Sequence, residues 1–324
     1  MKAIVFHNYG SPDVLRYEDV EEPTAGDDQV LIKVRAASVN PFDWHCMRGT
    51  PYVMRIRGGL RKPKAARLGV DVAGQVEAVG RNVAQFKPGD EVFGACRGAF
   101  AEYACIPESA LVIKPDNVTF EQAASVPVAA FTALQGLRDK GHLQPGQKVL
   151  INGASGGVGT FAVQIAKWFG ADVTAVCSTG NVEMVRSIGA DRVIDYTQQD
   201  FTRSGQRYDL IFDAVGNHSL LAGRRVLGSK GIYIVVSGPD GRWIGPLARF
   251  IEALVFSPFV SQNLVPFMAK RNKEDLTTMC ELMETGKVTP VIGKRYRLSE
   301  AAEAIRYLET GHARGKVVVT VDQT

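Results

Sequence analysis

The stretch Lys148-Val149-Leu150-Ile151-Asn152-Gly153-Ala154-Ser155-Gly156-Gly157-Val158-Gly159 decides the fold. Val149 to Ile151 is continuously apolar, as a parallel strand covered on both faces must be. Beyond the glycines, Val158, Phe161, Ala162, Ile165, Ala166 and Phe169 recur at the i, i+3, i+4 spacing of a helix that buries one face. The glycines between them permit a tight turn, let the backbone approach a pyrophosphate and let the helix pack close to the strand. The helix N-terminus adds free N–H groups and the positive end of its dipole. Strand, glycine turn and helix in this order read as a dinucleotide-binding unit rather than an ordinary loop.

The pattern continues in both directions. Downstream, apolar runs at 172–177, 192–194, 210–213 and 231–236 alternate with helical segments such as 181–188, which predicts a doubly wound parallel sheet. Upstream, the first 120 or so residues are β-rich, with short runs at 2–6, 29–36, 74–79 and 91–93. Pro-Gly pairs at Pro88-Gly89 and Pro145-Gly146 mark tight turns before strands. Past the parallel sheet, 274–283 and 299–308 have helical period, with Ser299 as the expected N-cap of the second, and 316–321 is a final strand. Because 295–298 and that strand resume the N-terminal style, the β-rich domain is expected to be discontinuous, 1–122 with 287–324, around a dinucleotide-binding domain at 123–286. A cleft between two such domains is the default ligand site.

At 324 residues, 45% hydrophobic and 22% charged, the chain has the composition of a globular protein of about two domains. Five scattered cysteines without a C-x-x-C pair argue against a disulfide framework or a zinc knuckle and predict a reducing compartment. The opening Met1-Lys2-Ala3-Ile4-Val5-Phe6 enters a strand pattern at once, so no secretory leader is expected and the cytoplasm is the expected location. The longest uncharged stretch, 253–269, is broken by Pro258, Pro266 and several polar residues, which argues against a membrane span. A net charge of +4 gives no case for nucleic acid. One imbalance is local: Arg48, Arg55, Arg57, Arg61, Lys62, Lys64 and Arg67 fall in twenty residues with no acidic one. Such a run is either a solvated loop or an attractor for an anionic cofactor or membrane surface.

A β-rich domain, a glycine-turn domain and a returning strand together resemble the medium-chain dehydrogenase/reductase superfamily over nearly the whole chain. Further matching pieces are Ser38-Val39-Asn40-Pro41-Phe42-Asp43, Gly69-Val70-Asp71-Val72-Ala73-Gly74, Lys87-Pro88-Gly89-Asp90-Glu91-Val92, Ala123-Ala124-Ser125-Val126-Pro127 and Gly189-Ala190-Asp191. Within the superfamily the chain is similar to the zinc-free quinone oxidoreductase (zeta-crystallin-like) and alkenal/enone reductase branch. The resemblance implies a GroES-like catalytic domain plus a Rossmann domain, an α/β fold. It sets Asn40 where zinc relatives carry a Cys ligand and Val70-Asp71 where they carry His-Glu; valine has no lone pair to offer zinc, so no metal is expected.

No carboxylate follows the second Rossmann strand, where an NAD-specific fold would hold the ribose 2′-OH. Instead Ser178 and Thr179 can donate to a 2′-phosphate, which favours NADPH over the alternative of a mere helix N-cap before Asn181. The resemblance adds Tyr196 as a further phosphate contact. Gly180 stands where many NADPH-using relatives have Lys or Arg, so Arg314 or Lys316 is a candidate substitute cation. Ser155, Gly156, Gly157 and Val158 are expected to hold the pyrophosphate, and Val215 and Ser237, after later strands, the ribose and nicotinamide. Without a metal to polarise an alcohol, the chemistry expected is hydride delivery to a small apolar electrophile, a quinone or an enone. Asn40 and Tyr52 are the candidate donors to its carbonyl oxygen, and Asp43 an orienting or structural carboxylate rather than a general base. Phe42, Trp44, Phe131 and Trp243 are candidate pocket aromatics, each explained as well by core packing. The apolar segment 243–267 either covers the substrate or forms a subunit contact. A homodimer through strand 230–236 at the sheet edge is expected. The competing reading is an NADPH-binding regulatory or membrane-associated protein with little turnover.

Overall fold

The computed structural model describes residues 1–64, 66–238 and 247–321. The chain opens with the strands β1 (Lys2–Val5), β2 (Arg16–Asp19), β3 (Gln29–Val39), β4 (Asp71–Val79), β5 (Glu91–Ala95), β6 (Tyr103–Pro107) and β7 (Leu111–Ile113). A second series follows, β8 (Lys148–Asn152), β9 (Asp172–Cys177), β10 (Arg192–Asp195), β11 (Tyr208–Asp213), β12 (Leu227–Val235) and β13 (Asn263–Pro266), before β14 (Ile292–Arg297) and β15 (Lys316–Thr320). The chain packs into two units, 1–128 with 271–324, and 129–270.

In the second unit the strands lie in the order β10-β9-β8-β11-β12-β13, all parallel. That is the doubly wound 3-2-1-4-5-6 order, with its switch point between β8 and β11. Val149, Leu150 and Ile151 are fully buried at its centre. The helix Gly157–Trp168 follows, and Gly156 is its extended N-cap residue. Two glycines there are fixed by space. Gly153 turns at φ +84°, and a Cβ on Gly159 would collide with the Gly153 carbonyl and the Ala154 Cα, so the helix can start this close to β8 only without a side chain at 159.

In the first unit β14-β15-β3-β4-β5-β7 form a sheet, with β6 also paired to β3. Its apolar side chains, including Ile32, Val34, Val72, Val92 and Ile106, form one core. Register decides what meets what: Val317 on β15 lies opposite Val39 on β3, and Ser38 on β3 lies opposite Asp71 on β4.

Three expectations change. The helix Lys273–Glu284 belongs to the first unit, where the Met283 carbonyl accepts from the Asn117 amide at 3.1 Å; the short helix Phe120–Ala124 also packs there. The boundaries therefore move to 128 and 271, because helical period does not say which sheet a helix covers. Ser299 is not an N-cap: it lies inside the 3-10 turn Leu298–Glu300, and the Glu300 carboxylate takes the Arg297 N–H at 2.8 Å. Finally, the strand read at 230–236 is not an edge, since β12 pairs with β13. The sequence reading missed β13, whose four residues end in a proline that suits only an edge strand.

Candidate functional site

The carboxyl edge of the Rossmann sheet gathers most of the expected cofactor residues. Ser155, Gly156, Gly157 and Val158 lie in the turn and first helical residues after β8, Ser178 and Thr179 after β9, Tyr196 after β10, Val215 after β11 and Ser237 after β12. First-turn N–H groups of a helix have no intrahelical acceptor, and a Cβ on Gly156 would meet only the Gly153 carbonyl oxygen, at 3.5 Å. The turn thus keeps clear the space that an anionic group needs at the helix N-terminus. Across the switch point the loops touch: a Cβ on Gly153 would come within 2.5 Å of Val215 Cγ2.

Asp213, 1% exposed, builds the loop that follows β11. Its Oδ1 accepts from the N–H groups of Val215 (3.1 Å) and Gly216 (2.9 Å) and from the Asn152 amide (2.8 Å); its Oδ2 accepts from the Tyr233 hydroxyl at 2.7 Å. Burial raises that phenol's pKa well above its ordinary value, so Tyr233 stays a donor. The buried Arg249 donates to the Gly216 carbonyl at 3.0 Å and pairs with Glu252 at 2.9 Å. Neither Asp213's bracing role nor Arg249 carried a sequence signal, since both depend on loops that meet only in the fold.

The adenosine end differs from expectation. Asn181 donates its amide to Ser178 Oγ (3.0 Å) and Ser155 Oγ (3.3 Å), so Ser178 is an acceptor there and keeps its own proton for a ligand. Thr179 does not: its hydroxyl donates to Asp195 at 2.6 Å. The Thr179 bond, first among several, holds the Asp195 carboxyl below its usual pKa. A carboxylate therefore does stand by this site, brought from the end of β10 rather than β9.

Arg314 and Lys316 lie in the first unit. Arg314 is exposed, whereas Lys316 is 3% exposed, its ammonium donating to Asn40 Oδ1 at 2.8 Å and lying 3.3 Å from Asp71. It is not a surface cation for a 2′-phosphate. Asn40 is corrected with it. Its amide donates to the Ser38 carbonyl (3.2 Å) and Asp71 (2.9 Å) while its oxygen accepts Lys316, so no N–H remains for a substrate carbonyl. Asp71 also accepts from the Ser38 hydroxyl (2.9 Å) and the Val128 N–H (3.0 Å). The strand registers of β3, β4 and β15 impose this closed cluster.

Asp43 is the structural carboxylate expected. It caps the helix Pro41–Arg48 by accepting the Asn40 N–H at 2.8 Å and ties in Gly69 N–H at 2.9 Å. Burial, the dominant cause, pushes its carboxyl up to about 7. It lines a cavity of about 660 Å³, within the range of small-molecule sites, with walls that include Phe6, Phe42, Met54, Leu68 and Val70. Phe42 is the one expected aromatic there. Trp44 stacks on His45 with ring centroids 3.6 Å apart, Phe131 is core in the second unit, and Trp243 lies outside the described residues. Tyr52 does not line the cavity, although Val53 and Met54 do; its ring lies under the Arg55 guanidinium, 4.7 Å away. Burial pushes the Cys46 thiol on the cavity wall up to about 12, which keeps it from acting as a thiolate.

Residues 26–116 match the alcohol dehydrogenase GroES-like domain model, and residues 188–319 match the model described as zinc-binding dehydrogenase. The chain is 35% identical, over 98% of its own length and 79% of the relative's, to the 2-methylene-furan-3-one reductase of Solanum lycopersicum. It is equally identical, with the same coverage, to the chloroplastic NADPH-dependent alkenal/one oxidoreductase of Arabidopsis thaliana. The solved quinone oxidoreductase of Coxiella burnetii superposes with a TM-score of 0.86 at 31% identity, over 99% of both chains. The chain belongs to the quinone/alkenal-one oxidoreductase branch of the medium-chain dehydrogenase/reductase superfamily. In this member Asn40, at the position of the Cys ligand of zinc relatives, forms the closed cluster with Asp71 and Lys316, and Val70, at the position of their His ligand, is cavity wall. Among the described residues no three His, Cys, Asp or Glu side chains are placed to hold a metal ion.

Proposed function

We propose that this protein is a zinc-independent, NADPH-dependent reductase that delivers hydride to a quinone or an α,β-unsaturated carbonyl. The observation that carries it is the donor set of the first unit: an apolar cavity whose wall includes Val70, with the neighbouring polar positions closed by Lys316, Asn40 and Asp71. A valine cannot polarise an alcohol through a metal, so the acceptor has to be electrophilic already. NADPH supplies the hydride. The chain's part is to seat the pyrophosphate at the helix 157–168 N-terminus, offer Ser178 to the 2′-phosphate and hold the acceptor against the apolar wall of the cavity.

A homodimer and a cytoplasmic location belong to the same proposal. The side of β13 that pairs with no strand among the described residues and the exposed Ile251, Leu254 and Val255 of the helix Leu247–Phe256 support the first; five free thiols support the second. The test is nicotinamide oxidation by purified, metal-analysed protein against a benzoquinone, a naphthoquinone, a short alkenal, a longer enone and a saturated aldehyde. Turnover of quinones or enals with NADPH and without zinc, and none of the saturated aldehyde, is the expected result. Binding of NADPH with no turnover on any acceptor would overturn it in favour of a regulatory role.

A further inference from the structure

The basic run at 48–67 is sorted by the fold. Arg48 pairs with Glu309 through two nitrogens. Arg55 lies over the rings of Tyr9 and Tyr52, 4.4 and 4.7 Å from their centroids, and donates to the Gly49 carbonyl at 2.9 Å. Those two are structural. Arg57, Lys64 and Arg67 instead line the cavity, where Arg97 joins them from another segment. All four are exposed, and none is paired with an acidic side chain among the described residues. Elsewhere on the surface Arg81, Arg186, Arg295 and Arg306 pair with Asp27, Glu183, Glu121 and Asp13.

Among the described residues the only acidic side chain on the cavity is Asp43, which is 1% exposed and has both oxygens on backbone N–H groups. It is not available to pair with the four cations. Arg67 sits on anchored backbone: it bridges to Val5, and the flanking Ala66 and Leu68 carbonyls accept from Phe6 (2.9 Å) and Phe100 (3.1 Å). Gly98 leaves room beside it, since a Cβ there would lie 3.3 Å from Arg67 Cβ. Apolar walls with unpaired cations and no available counter-charge suit a ligand that is apolar along its length and anionic at one end.

We propose that the acceptor taken by this cavity carries a carboxylate or phosphate on an apolar frame, with Arg57, Lys64, Arg67 and Arg97 recognising the anion. The proposal rests on the reductase reading for its chemistry, but recognition can be read without turnover. Titration calorimetry with octanoate and octanamide measures recognition alone. The kcat/KM ratio of 9-oxonon-7-enoate to 2-nonenal, a pair in which a carboxylate replaces the remote methyl, measures it during reduction. Octanoate is expected to bind about tenfold or more tightly than octanamide at low salt, with the preference shrinking as salt screens exposed charges. The double variant Arg67→Ala/Arg97→Ala should abolish the preference, Arg67→Lys/Arg97→Lys should retain it, and unchanged circular dichroism and octanamide binding would show both folded. The enal ratio should follow the same pattern. Equal binding of the two probes, a preference that survives the alanine variant, or a loss of NADPH affinity in its place overturns the proposal. A calorimetric preference with neither enal nor any quinone reduced would leave the anion site standing and sink the reductase reading instead.

Discussion

A single proton distinguishes Ser178 from Thr179. Both hydroxyls follow the second Rossmann strand, but Ser178 accepts from Asn181 and is free to donate, whereas Thr179 already donates to Asp195. Ser178→Asp is therefore expected to weaken NADPH binding much more than NADH binding, as like charges meet, and Asp195→Asn to raise the NADPH preference several-fold. Fluorescence titration with both nucleotides measures the two effects, and equal changes for NADPH and NADH would remove the 2′-phosphate from this corner. Asn40 shows the opposite case, a residue whose type suggested catalysis and whose contacts make it structural. Asn40→Ala leaves the buried Lys316 ammonium short of an acceptor and is expected to cost about 1–3 kcal/mol of stability. Lys316→Met leaves Asp71 buried without its cation and should cost about 3–5 kcal/mol. Urea denaturation checks both; a kcat loss in Asn40→Ala with unaltered stability would return that residue to the reaction.

Among the elements, the glycine turn separates what folding requires from what binding requires. Gly159→Ala puts a methyl into the Gly153 carbonyl and is expected to lower the melting temperature by several degrees, with a loss of about 1–3 kcal/mol. Gly156→Ala meets only an ordinary contact at 3.5 Å, so the melting temperature should hold while NADPH affinity falls about tenfold or more, because the methyl occupies the pyrophosphate's approach. Reversal of the two results would mean that the phosphates lie elsewhere. The strands and helices around this turn were legible because apolar periodicity is local. β13 was not, because four residues ending in proline carry no periodicity and are held in place by β12.

At the scale of the molecule, the strand once expected at the sheet edge is covered, and the apolar surface has moved to β13 and the helix Leu247–Phe256. Sedimentation should give a mass about twice 35.2 kDa, and Leu254→Glu, at a position 62% exposed, should give a folded monomer; a wild-type monomer would leave that face without a partner. By itself the sequence determined the two fold types, the dinucleotide turn and the loss of a zinc ligand at Val70. Each is written in residues adjacent along the chain, or in the presence of a side chain with no lone pair. Only the tertiary structure decided that Asn40, Asp71 and Lys316 close on one another, that Asp195 reaches Thr179, and that four of the scattered cations share one cavity. The first two depend on strand register and strand order and the third on a short helix and loops meeting in space; none leaves a local pattern to read.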